Sequence, residues 1–181
     1  IMESVYGDRN HESREERRGK LQEAILNAIK KNGAIVIPAF SIERTQVLLY
    51  EINNMIEDKE IPEIPVFLDS PLALKVTGIY KKYADDFKAS VKEEIKKGDD
   101  IFNFPRLSFT VSTQESRAID HAKSPKIVIA GSGMSVGGRV IHHEEVYLGN
   151  PKNTVLLVGY QTLGSIGRHL LDGSKKVLIH G

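Results

Sequence analysis

The stretch KIVIAGSGMSVGGRVIHHEEVYLGN (126–150) decides the fold. An unbroken apolar run enters a turn holding four glycines, and a helical pattern leaves it. Strand, glycine turn and helix in that order make up half of a βαβ unit. The apolar run has no polar alternation, as expected of a strand covered by helices on both faces. Moving outward, AIVIPAF (34–40) and the apolar part of NTVLLVGYQT (153–162) have the same character. PVFLDS (65–70), RLSFTVS (106–112) and KKVLIHG (175–181) read as further strands, and IMES (1–4) as the end of one. In HESREERRGKLQEAILNAIKKNG (11–33), Leu21, Ile25 and Ile29 recur at i, i+4, i+8, and Gly33 is placed as the cap. SIERTQVLLYEINNMIED (41–58) reads as a helix with Ser41 as N-cap and Glu43 in its first turn. Leu48, Ile52, Met55 and Ile56 mark its buried face. Pro71 opens the next helix at its first position. A more polar helix follows at 88–97, then helices within 113–123, 137–150 and 164–173, with a loop at 98–105. The expected architecture is α/β: a mainly parallel central sheet flanked by helices on both faces, in Rossmann-like layering.

Composition narrows the chemistry. The 181 residues carry a net charge of +1, which excludes a strongly basic nucleic-acid arm but not a basic patch on one face. There are no cysteines, so disulfides, thiolate metal sites and a cysteine nucleophile are excluded, and a cytoplasmic setting is expected. No apolar run reaches membrane-spanning length, so no membrane partner is expected. The histidines form no HxH or HExxH cluster, so no metal site is expected within the chain.

In parallel sheets, ligands gather at the carboxyl ends of the strands. Four such ends carry unusual residues. Glu3, Tyr6, Gly7, Asp8 and Arg9 follow the opening segment, either as a site or as an ordinary charged link. Asp69 and Ser70 close the second strand, where Asp69 reads more readily as a helix cap than as a catalytic acid. Ser132, Gly133, Gly137, Gly138 and Arg139 form either a phosphate-facing loop or a plain tight turn. Gly159, Tyr160, Gly164, Ser165 and Arg168 repeat the pattern, with Tyr160 either stacking on a base or packing.

Taken together, these turns resemble a known family. ESVYGDR, IPAFSIERTQVLLYEI, FLDSPLA, AGSGMSVGGRVIHH and VGYQTLGSIGR follow one another as in the β-CASP group of metallo-β-lactamase-fold nucleases. The resemblance runs through essentially all 181 residues and is nearest to the RNA-processing members related to the pre-mRNA 3′-end cleavage subunit. It implies a single β-CASP domain over residues 1–181, inserted in a metallo-β-lactamase domain of the same chain, which is its expected partner together with RNA. It implies zinc held by that host domain outside this segment, with no cofactor in the segment itself. Glu3 would be a supporting acid completed by the host, and the segment alone would be inactive. RNA-phosphate contacts would fall on Tyr6, Arg9, Arg44, Ser132, Gly133, Gly137, Gly138, Arg139, Gly164, Ser165 and Arg168. Arg44 and Gln46 match the family's R-x-Q pair, read either as RNA contact or as a buried polar link. His180 stands in no family histidine context, and a homodimer is left open. The rival readings are a self-contained α/β module for a small phosphorylated ligand or nucleotide, and a purely structural interaction domain.

Overall fold

The computed structural model describes residues 2, 5–8 and 10–179. Five parallel strands form one sheet in the order β3-β2-β4-β1-β5. They are β1 (Ala34–Pro38), β2 (Val66–Asp69), β3 (Leu107–Phe109), β4 (Lys126–Ala130) and β5 (Thr154–Val155). The helices are α1 (Arg14–Lys31), α2 (Arg44–Glu57), α3 (Pro71–Lys82), α4 (Ala89–Lys96), α5 (Thr113–Ala118), α6 (Arg139–Tyr147) and α7 (Ile166–Leu171).

The unbroken apolar strands are central, as their composition requires. Every residue of β1 and β4 is buried. Alternate side chains divide between two cores. Ile35, Ile37, Leu68, Ile127 and Ile129 meet α1 and α2 through Leu21, Ile25, Leu49, Ile52 and Met55. Ala34, Val36 and Ala130 face the other way, against Val140, Ile141 and Tyr147 of α6. The chain therefore leaves β1 over one face of the sheet and leaves the neighbouring β4 over the other. Their carboxyl ends diverge into a crevice, the topological switch point of an open parallel sheet.

Local chemistry sets the boundaries. Ser13 caps α1 in a reciprocal box with Glu16, its hydroxyl accepting from the Glu16 N–H at 3.1 Å. Several expectations need correction. The left-handed cap of α1 is Asn32 (φ 51°), not Gly33. Ser41 does not cap α2. Glu43 stands at that position without a side-chain cap, in a γ-turn (φ 64°, ψ −64°) closed by the Arg44 N–H on the Ile42 carbonyl at 2.8 Å. Ser70, not Asp69, caps α3, accepting from the Ala73 N–H at 3.2 Å. The stretch 98–105 lacks regular structure yet buries Ile101, Phe102 and Phe104. β5 closes after two residues, although the Leu156 N–H still reaches the Val36 carbonyl at 2.9 Å. Residues 175–179 form no strand. The strand expected at the opening of the chain rests on Ile1, which lies outside the described residues, as do Glu3, Arg9 and His180.

Candidate functional site

Each strand ends on the same edge of the sheet, and the loops leaving that edge carry the notable polar residues. Asp69, the last residue of β2, is fully buried and joins four elements. Its Oδ1 accepts from Thr110, just past β3, at 2.5 Å and from the Arg139 guanidinium of α6 at 2.7 Å. Its Oδ2 accepts from Ser116 of α5 at 2.5 Å and lies 2.7 Å from His143 Nε2 of α6. Burial alone would raise the Asp69 pKa, but these four partners outweigh it and hold the carboxyl far below its ordinary value. Arg139 also donates to the carbonyls of Thr110 and Val111 at 3.1 and 2.6 Å. Its guanidinium therefore ties α6 to the ends of β2 and β3.

The glycine-rich loop 131–138 is tied to itself and to its neighbours. The Ser132 N–H donates to the Gly137 carbonyl at 3.0 Å, and Ser132 Oγ accepts from the Val136 N–H at 3.2 Å. The Val140 N–H donates to the Gly131 carbonyl at 2.9 Å. Gly138 is required at its place. It has φ 81°, and a Cβ there would lie 2.5 Å from the Gly131 carbonyl oxygen. Below the loop, Ser135 donates a short hydrogen bond to Glu144, which is fully buried. Burial raises the Glu144 pKa, more strongly than the Ser135 bond lowers it. Gln161, also buried, donates to the carbonyls of Gly133 and Gly159 at 3.0 Å each and so links this loop to the turn after β5.

A groove of about 280 Å³ opens beside the switch point, between the ends of β1 and β5. Phe40, Ile42, Glu43, Arg44, Gly159 and Tyr160 line it, with Val5 and Tyr6 brought over from the chain's opening. Tyr6 meets Tyr160 edge to face, with ring centroids 5.9 Å apart, and packs on His11 at 4.4 Å. The Arg44 charge is held loosely, 3.7 Å from the Glu43 carboxylate.

The candidate residues thus separate into three groups. Tyr6 and Arg44 meet in the groove. Ser132, Gly133, Gly137, Gly138 and Arg139 share the loop and its inward network. Gly164, Ser165 and Arg168 open α7, where Ser165 is buried as the cap and Arg168 pairs with Asp172 at 2.8 Å. Glu3 and Arg9 lie outside the described residues. Gln46 resolves toward the buried link: it donates to the Ser41 carbonyl at 3.1 Å and to Thr77 at 3.0 Å. Sequence reasoning passed over Phe40 and three partners of Asp69 (Thr110, Ser116 and His143), and it read the fourth, Arg139, only as a phosphate contact. The aspartate at a strand end and the paired histidines on α6 were the available signals. Among the described residues, no three histidine, cysteine, aspartate or glutamate side chains sit close enough to hold a metal ion. The Asp69–His143 pair comes nearest, and its carboxylate is already satisfied by four partners. These residues do not fit a zinc site.

Comparison with known proteins places these features in context. The Beta-Casp domain family model matches residues 45–170. Over 181 residues the chain is 33% identical to ribonuclease TTHA0252 of Thermus thermophilus, aligning along its whole length with 42% of that protein. It is 31% identical to the transcription termination factor FttA of Pyrococcus horikoshii, covering all of this chain and 28% of that protein. It is 31% identical to an RNase J-like protein of Methanocaldococcus jannaschii, covering 98% of this chain and 40% of that protein. The chain thus spans less than half the length of each of these relatives.

Proposed function

The chain belongs to the Beta-Casp domain family, and from that premise we propose that it is the RNA-holding part of a ribonuclease. The observation that carries this reading is the groove beside the switch point, at the carboxyl ends of β1 and β5. There, aromatic rings and the loosely paired Arg44 stand together where parallel sheets take their ligands. Single-stranded RNA suits such a surface, since its phosphates seek a cation and its unstacked bases seek aromatic faces. A small set of placed cations fits a chain of net charge +1 better than a broad basic face.

The cutting chemistry belongs, in this reading, to a metallo-β-lactamase-type domain elsewhere in the same protein. Two zinc ions there would activate water for attack on a phosphodiester. Glu3 would stand toward that domain as a supporting acid, and Arg9, Ser132 and Arg168 would border the RNA path. The protein would work in the cytoplasm, and no described helix is long and apolar enough to cross a membrane.

Two measurements on the 181-residue polypeptide test the proposal. Fluorescence anisotropy should show binding of single-stranded RNA that weakens as salt rises, because phosphate contacts release counterions. A nuclease assay with added zinc should show no cleavage. Robust metal-dependent cleavage would overturn the assignment of the chemistry to another domain. Salt-independent, saturable binding of a mononucleotide with no binding of RNA would overturn the RNA reading.

A further inference from the structure

Phe40 is a large ring at the sheet's carboxyl edge that rests on glycine backbone. It follows β1 directly and belongs to neither hydrophobic cluster, with 42% of its surface exposed. A Cβ on Gly133 would lie 2.7 and 2.9 Å from two Phe40 ring carbons, so the ring rests against the bare backbone of the loop after β4. A Cβ on Gly159, in the turn after β5, would reach the same ring at 3.9 and 4.0 Å. Gln161 locks those two backbones together through the Gly133 and Gly159 carbonyls. The γ-turn at Glu43 then swings Arg44 into the groove beside the ring. Tyr160 and Tyr6, edge to face with each other, line the same groove.

The ring packs on glycine backbone and presents its exposed surface to the groove. Burying an apolar ring is favourable, so an exposed one fixed in this way has its value in what it contacts. The groove's volume, about 280 Å³, lies just under the ~300–1,000 Å³ of small-molecule pockets. That is room for one planar group with its sugar. A flat π-system carrying an anion nearby matches an aromatic floor with a guanidinium at its rim.

We propose that Phe40 is a stacking platform for one nucleobase of single-stranded RNA, with Tyr160 and Tyr6 as its side wall and Arg44 beside the attached phosphate. This rests on the RNA reading above. It adds to it a base contact that is indifferent to sequence, because every base has a face to stack.

The test uses the full-length protein with EDTA present, so that RNA is bound and not cut. The probes are fluorescein-labelled oligouridine and the same oligomer with abasic sites. Phe40→Leu should weaken binding of oligouridine by about tenfold or more and leave binding of the abasic oligomer unchanged. Phe40→Tyr, which keeps the ring, should restore affinity for oligouridine. Tyr160→Leu, at a residue outside both cores, should also weaken oligouridine selectively, which keeps the test decisive if Phe40→Leu folds poorly. Unchanged affinity in Phe40→Leu, or equal losses on both oligomers, would overturn the platform while leaving the RNA reading intact. Failure of the wild-type protein to bind either oligomer would overturn both.

Discussion

Asp69 shows how far a single residue can organise the edge of a sheet. A buried carboxylate costs several kcal/mol to desolvate, and it stands here only because four donors surround it. Asp69→Asn would leave the Arg139 guanidinium without its counter-charge in a partly buried position. The expected cost is about 3–5 kcal/mol, measured by urea denaturation at neutral pH. A loss under about 1 kcal/mol would mean that the network is not cooperative. The pH dependence has a definite sign. Because the folded pKa of Asp69 is depressed, its contribution is complete above the ordinary value of 3.8 and is lost as pH falls below it. Wild-type stability should therefore fall below about pH 4, and Asp69→Asn should flatten that fall. Glu144 runs the other way. Its folded pKa is raised, so its contribution is complete below the ordinary 4.5 and is lost as pH rises through the raised value. Glu144→Gln, which keeps an acceptor for Ser135, should raise the melting temperature at pH 8 and give little gain near pH 4. An equal shift at both pH values would show that ionisation is not the cause.

At the level of elements, caps and strand order decide what composition leaves open. Ser70 caps α3, and its hydroxyl also lies 3.3 Å from that of Ser41 across the end of β4. Ser70→Ala should cost about 1–2 kcal/mol, the upper part of the range for lost caps, because the site is buried. Ser13→Ala, at an exposed cap, should cost less; calorimetry on the two variants would reverse the argument if Ser13→Ala were the more damaging. The central strands and long helices were legible because apolar period is local: α1 shows Leu21 and Ile25 on one stripe, and β4 is apolar from Ile127 to Ala130. Cap identity was less legible, since Asp69 and Ser70 are both good capping residues and only tertiary partners separate them. Lys126 reads as a polar strand flank, yet it is buried and donates to the carbonyls of Ile119 and Ala122 at 2.6 and 2.7 Å. The phenylalanines of 98–105 read as loop and are core, because a segment without periodicity can still cover a sheet. The Asp69 network draws on residues 69, 110, 116, 139 and 143, which share no spacing. They meet because β2 lies between β3 and β4, an order that no local pattern encodes.

For the whole molecule, the sheet order separates two edges with different work. Both crossovers that flank the switch point, β1 through α2 and β4 through α6, start from the same edge and leave over opposite faces. Every glycine-rich turn and every groove residue near the strands lies on that edge, whereas the amino edge carries links such as 58–65 and 150–153. If RNA is held as proposed, amide hydrogen exchange should respond on one edge only. Binding of single-stranded RNA should slow exchange in 39–43, 131–138 and 159–165, the segments that surround the groove and the Phe40 ring. The links at 58–65, 122–125 and 148–153 should be unaffected, since they lie a strand's length away at the opposite end of the sheet. Uniform slowing across both edges would indicate general stabilisation by ligand and not a local footprint. Slowing confined to the amino edge would place the RNA where parallel sheets do not take ligands, and would overturn the reading of the groove.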